Sequence, residues 1–120
     1  MRDKNSAILK HMLKYCTQIE ETCDNFGNDK KEFFDNHIFR NAASMALFQI
    51  GELANHLTEE YQKETLSEMN WREIVGMRNF FAHGYGNMDV EVIWDTVINS
   101  IPVLKEFCAK EIARLELMEN

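Results

Sequence analysis

"NHIFRNAASMALFQIGELANHL", residues 36–57, is apolar around most of a helical circumference and leaves only a narrow polar stripe. A helix with that pattern is covered on several sides, so it belongs at the centre of a helical bundle. Gly51 sits inside it. Glycine costs helix stability relative to alanine, and here it points to close approach by a second helix rather than to a turn.

The segments on either side supply the partners. Upstream, Ile8, Met12, Tyr15, Ile19, Cys23 and Phe26 recur at spacings of three and four, one stripe of a helix over residues 5–26. "NFGND" ends it, with Gly27 as the C-terminal cap, and "DKKEFFD" reads as a short helix. Downstream, "TEEYQKETLSEM" reads as a polar connection. Asn70 then caps a helix from Trp71, with Glu73 placed for a capping box. That helix fades near Ala82, before Gly84 and Gly86. Asp89 caps the next element, where Val90, Ile93, Trp94, Val97 and Ile98 follow a helical spacing. Pro102 has no amide hydrogen, so a kink or restart is expected near Ser100. Leu104, Phe107, Cys108, Ile112 and Leu115 form the last stripe.

The sum is an all-α bundle of about four to five helices in one domain, residues 1–120. One proline and five glycines suit that class, and 45% apolar with 28% charged residues is not a disordered composition. The net charge of −7 excludes a protein that coats nucleic acid through a broad basic surface, yet leaves room for a local cationic site in a cleft. Lys30, Lys31, Arg40 and Arg72 are scattered and form no basic path. Cys16, Cys23 and Cys108 follow no metal-ligand spacing and read as reduced, partly buried thiols. With no signal-peptide pattern at the start and no membrane-length apolar run, the expected location is the cytoplasm. Trp71, Trp94, Met12, Met45 and Met77 read as packing residues, and His11 and His37 as exposed. No phosphate-cradling glycine loop or zinc-type cluster is present, so no cofactor or metal is expected.

Chemistry concentrates in "MRNFFAHGYG", residues 77–86. On the helix from Trp71, Ile74, Met77 and Phe81 share a face, and Arg78 lies only ~40° from Ile74. An arginine on the edge of an apolar stripe must be paired, must snorkel or must line a cleft. Phe80 falls on the polar side. In an unbroken helix His83 lies ~140° from Arg78, while Tyr85 returns to within ~20° of it. A site built from Arg78 and His83 therefore needs the helix to end by about His83, or a second subunit. Histidine moves protons near neutral pH, and arginine offers a planar fork for phosphate. The pair suits RNA phosphodiester cleavage, with His83 as base or acid and Arg78 stabilising the transition state. By spacing alone, an arginine and a histidine near a helix end are more often a capping and ion-pair arrangement. Glu52 and His56, four apart, pair on one helix face in the simplest reading; the alternative has Glu52 reaching Arg78 across the bundle and orienting it.

Arg78, His83 and Tyr85 spell R-x-x-x-x-H-x-Y. This resembles the signature of the HepT-like toxins of the HEPN superfamily. "IGELANHL" (50–57), "WREIVGMRNFFAHGYGNMDVEVIWDTV" (71–97) and "IPVLKEF" (101–107) resemble the family in order and spacing, so the likeness spans nearly the whole chain. It implies a homodimeric HEPN bundle whose motifs meet in a cleft between subunits, and a metal-independent endoribonuclease toxin. It also implies a minimal nucleotidyltransferase (MNT) antitoxin that transfers AMP to the motif tyrosine. Carried over by position, Arg78 and His83 are the catalytic pair, Asn79 is a supporting polar residue, and Tyr85 is the supporting tyrosine and modification site. A non-catalytic module that binds nucleotides or partners and works with a nucleotidyltransferase stands as the alternative.

Overall fold

The computed structural model describes residues 4–84 and 90–119, with side chains described for 4–78 and 90–118. The elements run α1 (Lys4–Asn25), α2 (Lys30–Asp35), α3 (His37–Asn55), α4 (Glu59–Glu64), α5 (Trp71–Gly84), α6 (Val90–Asp95), a π-helical turn (Thr96–Ser100) and α7 (Ile101–Glu119). The protein is an all-α bundle. Helix α6, the π turn and α7 form one rod, so four long elements carry the fold and α2 and α4 cover its ends. No strand occurs among the described residues.

Helix α3 is the central element that its sequence implies, packed between α1 and α5. Its Phe39, Ala43, Leu47, Ile50 and Ala54 are buried, against Leu9, Met12, Cys16 and Ile19 of α1 and Ile101, Leu104 and Cys108 of α7 in one core. Each large side chain among these contributes about 1.5–3 kcal/mol of burial. Aromatic clusters close both ends. Phe39 stacks on Phe26 at 4.8 Å and meets Phe33 edge-on at 4.9 Å, with Trp94 against Phe33 at 5.1 Å. At the other end Trp71 meets Phe107 at 5.6 Å.

Polar side chains start α3 and α5, the latter at the Asn70 cap that the sequence predicts. Asn36 Oδ1 accepts from the Ile38 amide at 2.9 Å, and Asn70 Oδ1 from the Glu73 amide at 3.2 Å. The return contact at the latter cap differs from a standard capping box: Glu73 accepts from the Asn70 side-chain amide at 3.3 Å. After α1, Gly27 takes φ +81°, and the Asn28 and Gly27 amides donate back to the Cys23 and Asp24 carbonyls at 2.8 and 3.2 Å. This is a Schellman closure, which the glycine makes possible without strain.

Three sequence expectations are corrected. The polar connection after α3 contains α4, started by Thr58, whose Oγ1 accepts from the Tyr61 amide at 3.2 Å. A one-turn helix with a single buried residue, Tyr61, leaves no periodicity to read. Ile98 is exposed although a continuous 3.6-residue count puts it inside. Pro102 denies an amide to the Ile98 carbonyl, and the chain relaxes into the π turn, where the Ile101 amide donates to the Thr96 carbonyl. That extra residue turns Ile98 outward while Val97 and Ile101 stay buried. Met45 is also exposed, at 61%, whereas Met12 is buried. Asp89, the expected cap of α6, lies outside the described residues.

One buried polar network ties α4 to α7. The Tyr61 hydroxyl donates to Glu111 Oε1 at 2.7 Å, and the Arg114 guanidinium grips the same carboxylate through Nε and Nη2 at 2.8 and 2.9 Å. Nearby, Trp71 Nε1 donates to Thr65 Oγ1 at 2.8 Å, which in turn donates to the Tyr61 carbonyl. The Arg114 hydrogen bonds hold the Glu111 carboxyl below its ordinary value of 4.5, against the opposing push of burial and with help from Tyr61. A depressed carboxyl contributes stability that is complete above its unfolded value and is lost as pH falls through the folded one. Urea denaturation should therefore show stability dropping below about pH 4.5, and Glu111→Gln should flatten that part of the curve. Tyr61→Phe should cost about 1–2 kcal/mol at neutral pH.

Candidate functional site

The site begins at a backbone contact. A Cβ at Gly51 would lie 3.0 Å from the Arg78 amide nitrogen, 3.1 Å from the Ile74 carbonyl oxygen and 3.4 Å from Arg78 Cβ. Only glycine lets α3 approach α5 this closely. The expectation that Gly51 marks a helix–helix contact holds, and the partner is the turn of α5 that carries Arg78.

The next residue on α3 uses that proximity. Glu52 Oε1 accepts from Arg78 Nε in a direct ion pair. Both side chains are half-buried, Arg78 at 39% and Glu52 at 32% exposure. An arginine on the edge of the apolar stripe thus meets its requirement by pairing across the bundle. Glu52 serves the cross-bundle contact and not the local pairing with His56, which is exposed. On α5, Ile74 and Met77 pack against the core, as their shared face implies.

Helix α5 continues through His83 to Gly84, two residues past the expected fade near Ala82. Glycine permits the chain to leave a helix but does not oblige it to. His83 therefore shares an unbroken helix with Arg78, five residues on, ~140° around the axis. The side chains of Asn79, Phe80, Phe81 and His83 lie outside the described residues, as does Tyr85 altogether.

The other candidate groups have structural roles. Lys30 pairs with Glu91 at 2.7 Å, Lys31 pairs with Asp35, and Arg40 donates to the Phe33 and Phe34 carbonyls at the end of α2. Lys30 and Lys31 are paired at the surface, and Arg40 closes the end of α2. All three cysteines are free and buried; burial pushes the Cys23 thiol up to about 11 and Cys16 up to about 12, so neither is a nucleophile at neutral pH. An apolar groove of about 440 Å³ runs between α5 and the π turn, lined by Ile74, Met77, Val92, Ile93 and Val103. It lacks Arg78 and Glu52 and offers no matched acid and base. No helix among the described residues is long and apolar enough to cross a membrane.

Comparison with known proteins gives the chain's family. The family model described as "Ribonuclease HepT-like" matches residues 12–111, a span that contains Gly51, Glu52, Arg78 and the whole R-x-x-x-x-H-x-Y motif. The chain belongs to the HepT-like ribonuclease family. A relative in Caldanaerobacter subterraneus subsp. tengcongensis, named "Putative RNase TTE0752", is 32% identical over 108 residues, covering 90% of this chain and 93% of its own. One in Thermococcus cleftensis, named "Probable ribonuclease HepT", is 37% identical over 86 residues, 71% of each chain. No solved structure matches the chain.

Within this HepT-like bundle, the sequence showed directly that Arg78 needs a partner or a cleft and that Gly51 is a spacer between helices. The Glu52 contact was legible only as the lesser of two options, because i,i+4 proximity is visible in a sequence and a contact between helices is not. Gly51→Ala tests the spacer. The added methyl meets backbone, which cannot swing aside, so overpacking of about 1–3 kcal/mol outweighs a helix-propensity gain of up to about 1 kcal/mol. Chemical denaturation should show a net loss near 1–2 kcal/mol, with Arg78 displaced from Glu52.

Proposed function

We propose that the protein is an endoribonuclease that cleaves RNA without a metal ion through Arg78 and His83. The observation that carries this reading is Arg78, a half-buried arginine held at a helix–helix contact within the HepT-like match. In the proposed reaction the 2′-hydroxyl attacks the adjacent phosphorus. A proton leaves that hydroxyl to a base, the bond from phosphorus to the 5′ oxygen breaks, and an acid returns a proton to that oxygen. The products are a 2′,3′-cyclic phosphate and a 5′-hydroxyl. Arg78 stabilises the extra negative charge on phosphorus-bound oxygens, and Asn79 supports the arginine.

The reaction needs a base and an acid, and each chain carries one motif histidine. The helical register separates Arg78 from His83 within a chain. Both facts support a homodimer in which two motifs share one cleft, with His83 of one protomer as base and His83 of its partner as acid.

In the same reading the protein is the toxin of a type II toxin–antitoxin system in the cytoplasm, neutralised by an MNT-type nucleotidyltransferase that transfers AMP to Tyr85. Adding a nucleotide to Tyr85 puts bulk and negative charge in the motif, where a substrate phosphate must bind.

Purified protein should cleave RNA in EDTA and leave cyclic phosphate ends. His83→Ala and Arg78→Ala should each reduce the rate by about 10²-fold or more while the chain stays folded. Absence of cleavage by the wild type would refute the enzyme reading. Intact mass after incubation with an MNT-type nucleotidyltransferase and ATP should rise by one AMP, and Tyr85→Phe should abolish the gain. A gain that survives Tyr85→Phe moves the modification elsewhere.

A further inference from the structure

We infer that Glu52 is the positioning residue for Arg78: it fixes the guanidinium edge-on so that the opposite edge receives phosphate. The inference rests on the ribonuclease reading, because that reading places Arg78 on the substrate. A guanidinium presents its N–H groups in a planar fork with distinct edges. Glu52 takes Nε, the inner nitrogen. The outer edge, formed by Nη1 and Nη2, matches two oxygens of a phosphate. Pairing at Nε therefore orients the fork without covering the edge that binds.

Three further observations support a built arrangement. Glu52 follows Gly51, so its carboxylate is delivered by the α3 backbone at the point where that backbone touches the Arg78 amide and Cβ. Both partners are partly buried, so solvent competes with this pair less than with the fully exposed pairs of the surface. Among the described residues, Glu52 is the one carboxylate that pairs with Arg78. Burying an acid beside a phosphate site also carries a cost, since it repels RNA. Charge alone therefore predicts that removing Glu52 tightens binding, whereas positioning predicts that it weakens binding. The two readings differ in sign.

The test uses wild type, Glu52→Gln, Glu52→Ala, Arg78→Ala and the Glu52→Ala/Arg78→Ala double variant, each confirmed folded by thermal melting. Two readouts are taken: cleavage of an RNA oligonucleotide, and the Kd for a 2′-O-methyl oligonucleotide that cannot be cleaved. Glu52→Ala should lower kcat about tenfold or more, as misplacement of a catalytic group does, and should weaken Kd. Glu52→Gln, which keeps an acceptor oxygen for Nε, should fall between Glu52→Ala and wild type. In the Arg78→Ala background, Glu52→Ala should neither slow cleavage nor weaken Kd further, because a residue acting through Arg78 has nothing left to position and only the repulsion of its charge remains to be relieved. Wild-type cleavage or tighter binding in Glu52→Ala overturns the inference, as does a double variant weaker than Arg78→Ala alone. If the wild type does not cleave, the ribonuclease reading fails on its own, and the Kd series still decides whether Glu52 acts through Arg78.

Discussion

The close approach of α3 to α5 at Gly51 sets the geometry of everything near the site. Two helices normally keep their axes 8–10 Å apart, with side chains filling the space between them. Here one helix omits the side chain, and the neighbouring backbone fills the space. The contact places the next residue, Glu52, within reach of Arg78. It also fixes the height of α5 in the bundle, and with it the positions of Ile74 and Met77 on the core. Arg78 is thus positioned by packing first and by charge second.

The electrostatic design follows from the same economy. An acidic chain that works on a polyanion cannot rely on a broad attractive field. Its cations near α2 are committed to carboxylates and helix-end carbonyls. Arg78 is a guanidinium at a defined place, with its Glu52 partner partly cancelling its long-range pull. A site of this kind selects by geometry at contact and contributes little steering at distance.

The bundle was legible because its evidence is periodic. The core-centred helix of residues 36–57, the stripe of α1 and the cap at Asn70 all survive into the structure. What escaped has physical reasons. Helix α4 is too short to show a period. Ile98 and the π turn depend on how the rod repairs the amide missing at Pro102, which a count of 3.6 residues per turn cannot include. Met45 reads as packing because an apolar residue on an apolar helix looks buried until the number of neighbouring helices is known. In the site, Arg78 stood out by its angle on the wheel, whereas its partner came from another helix 26 residues earlier. Sequence position carries no direct record of that contact.

The π turn has a consequence for how this chain tolerates change in length. Ile93, Val97 and Ile101 are all buried across it, at successive steps of four residues. In an ordinary α-helix two such steps drift by ~80°; the wider turn absorbs much of that drift. Deleting one residue between Thr96 and Ser100 would leave a seven-residue α-helical spacing, which drifts by only ~20°. Both lengths keep α6 and α7 facing the same core. The rod can therefore lose a residue at this point without rebuilding either flank, on the far side of the bundle's apolar groove from the helix that carries Arg78.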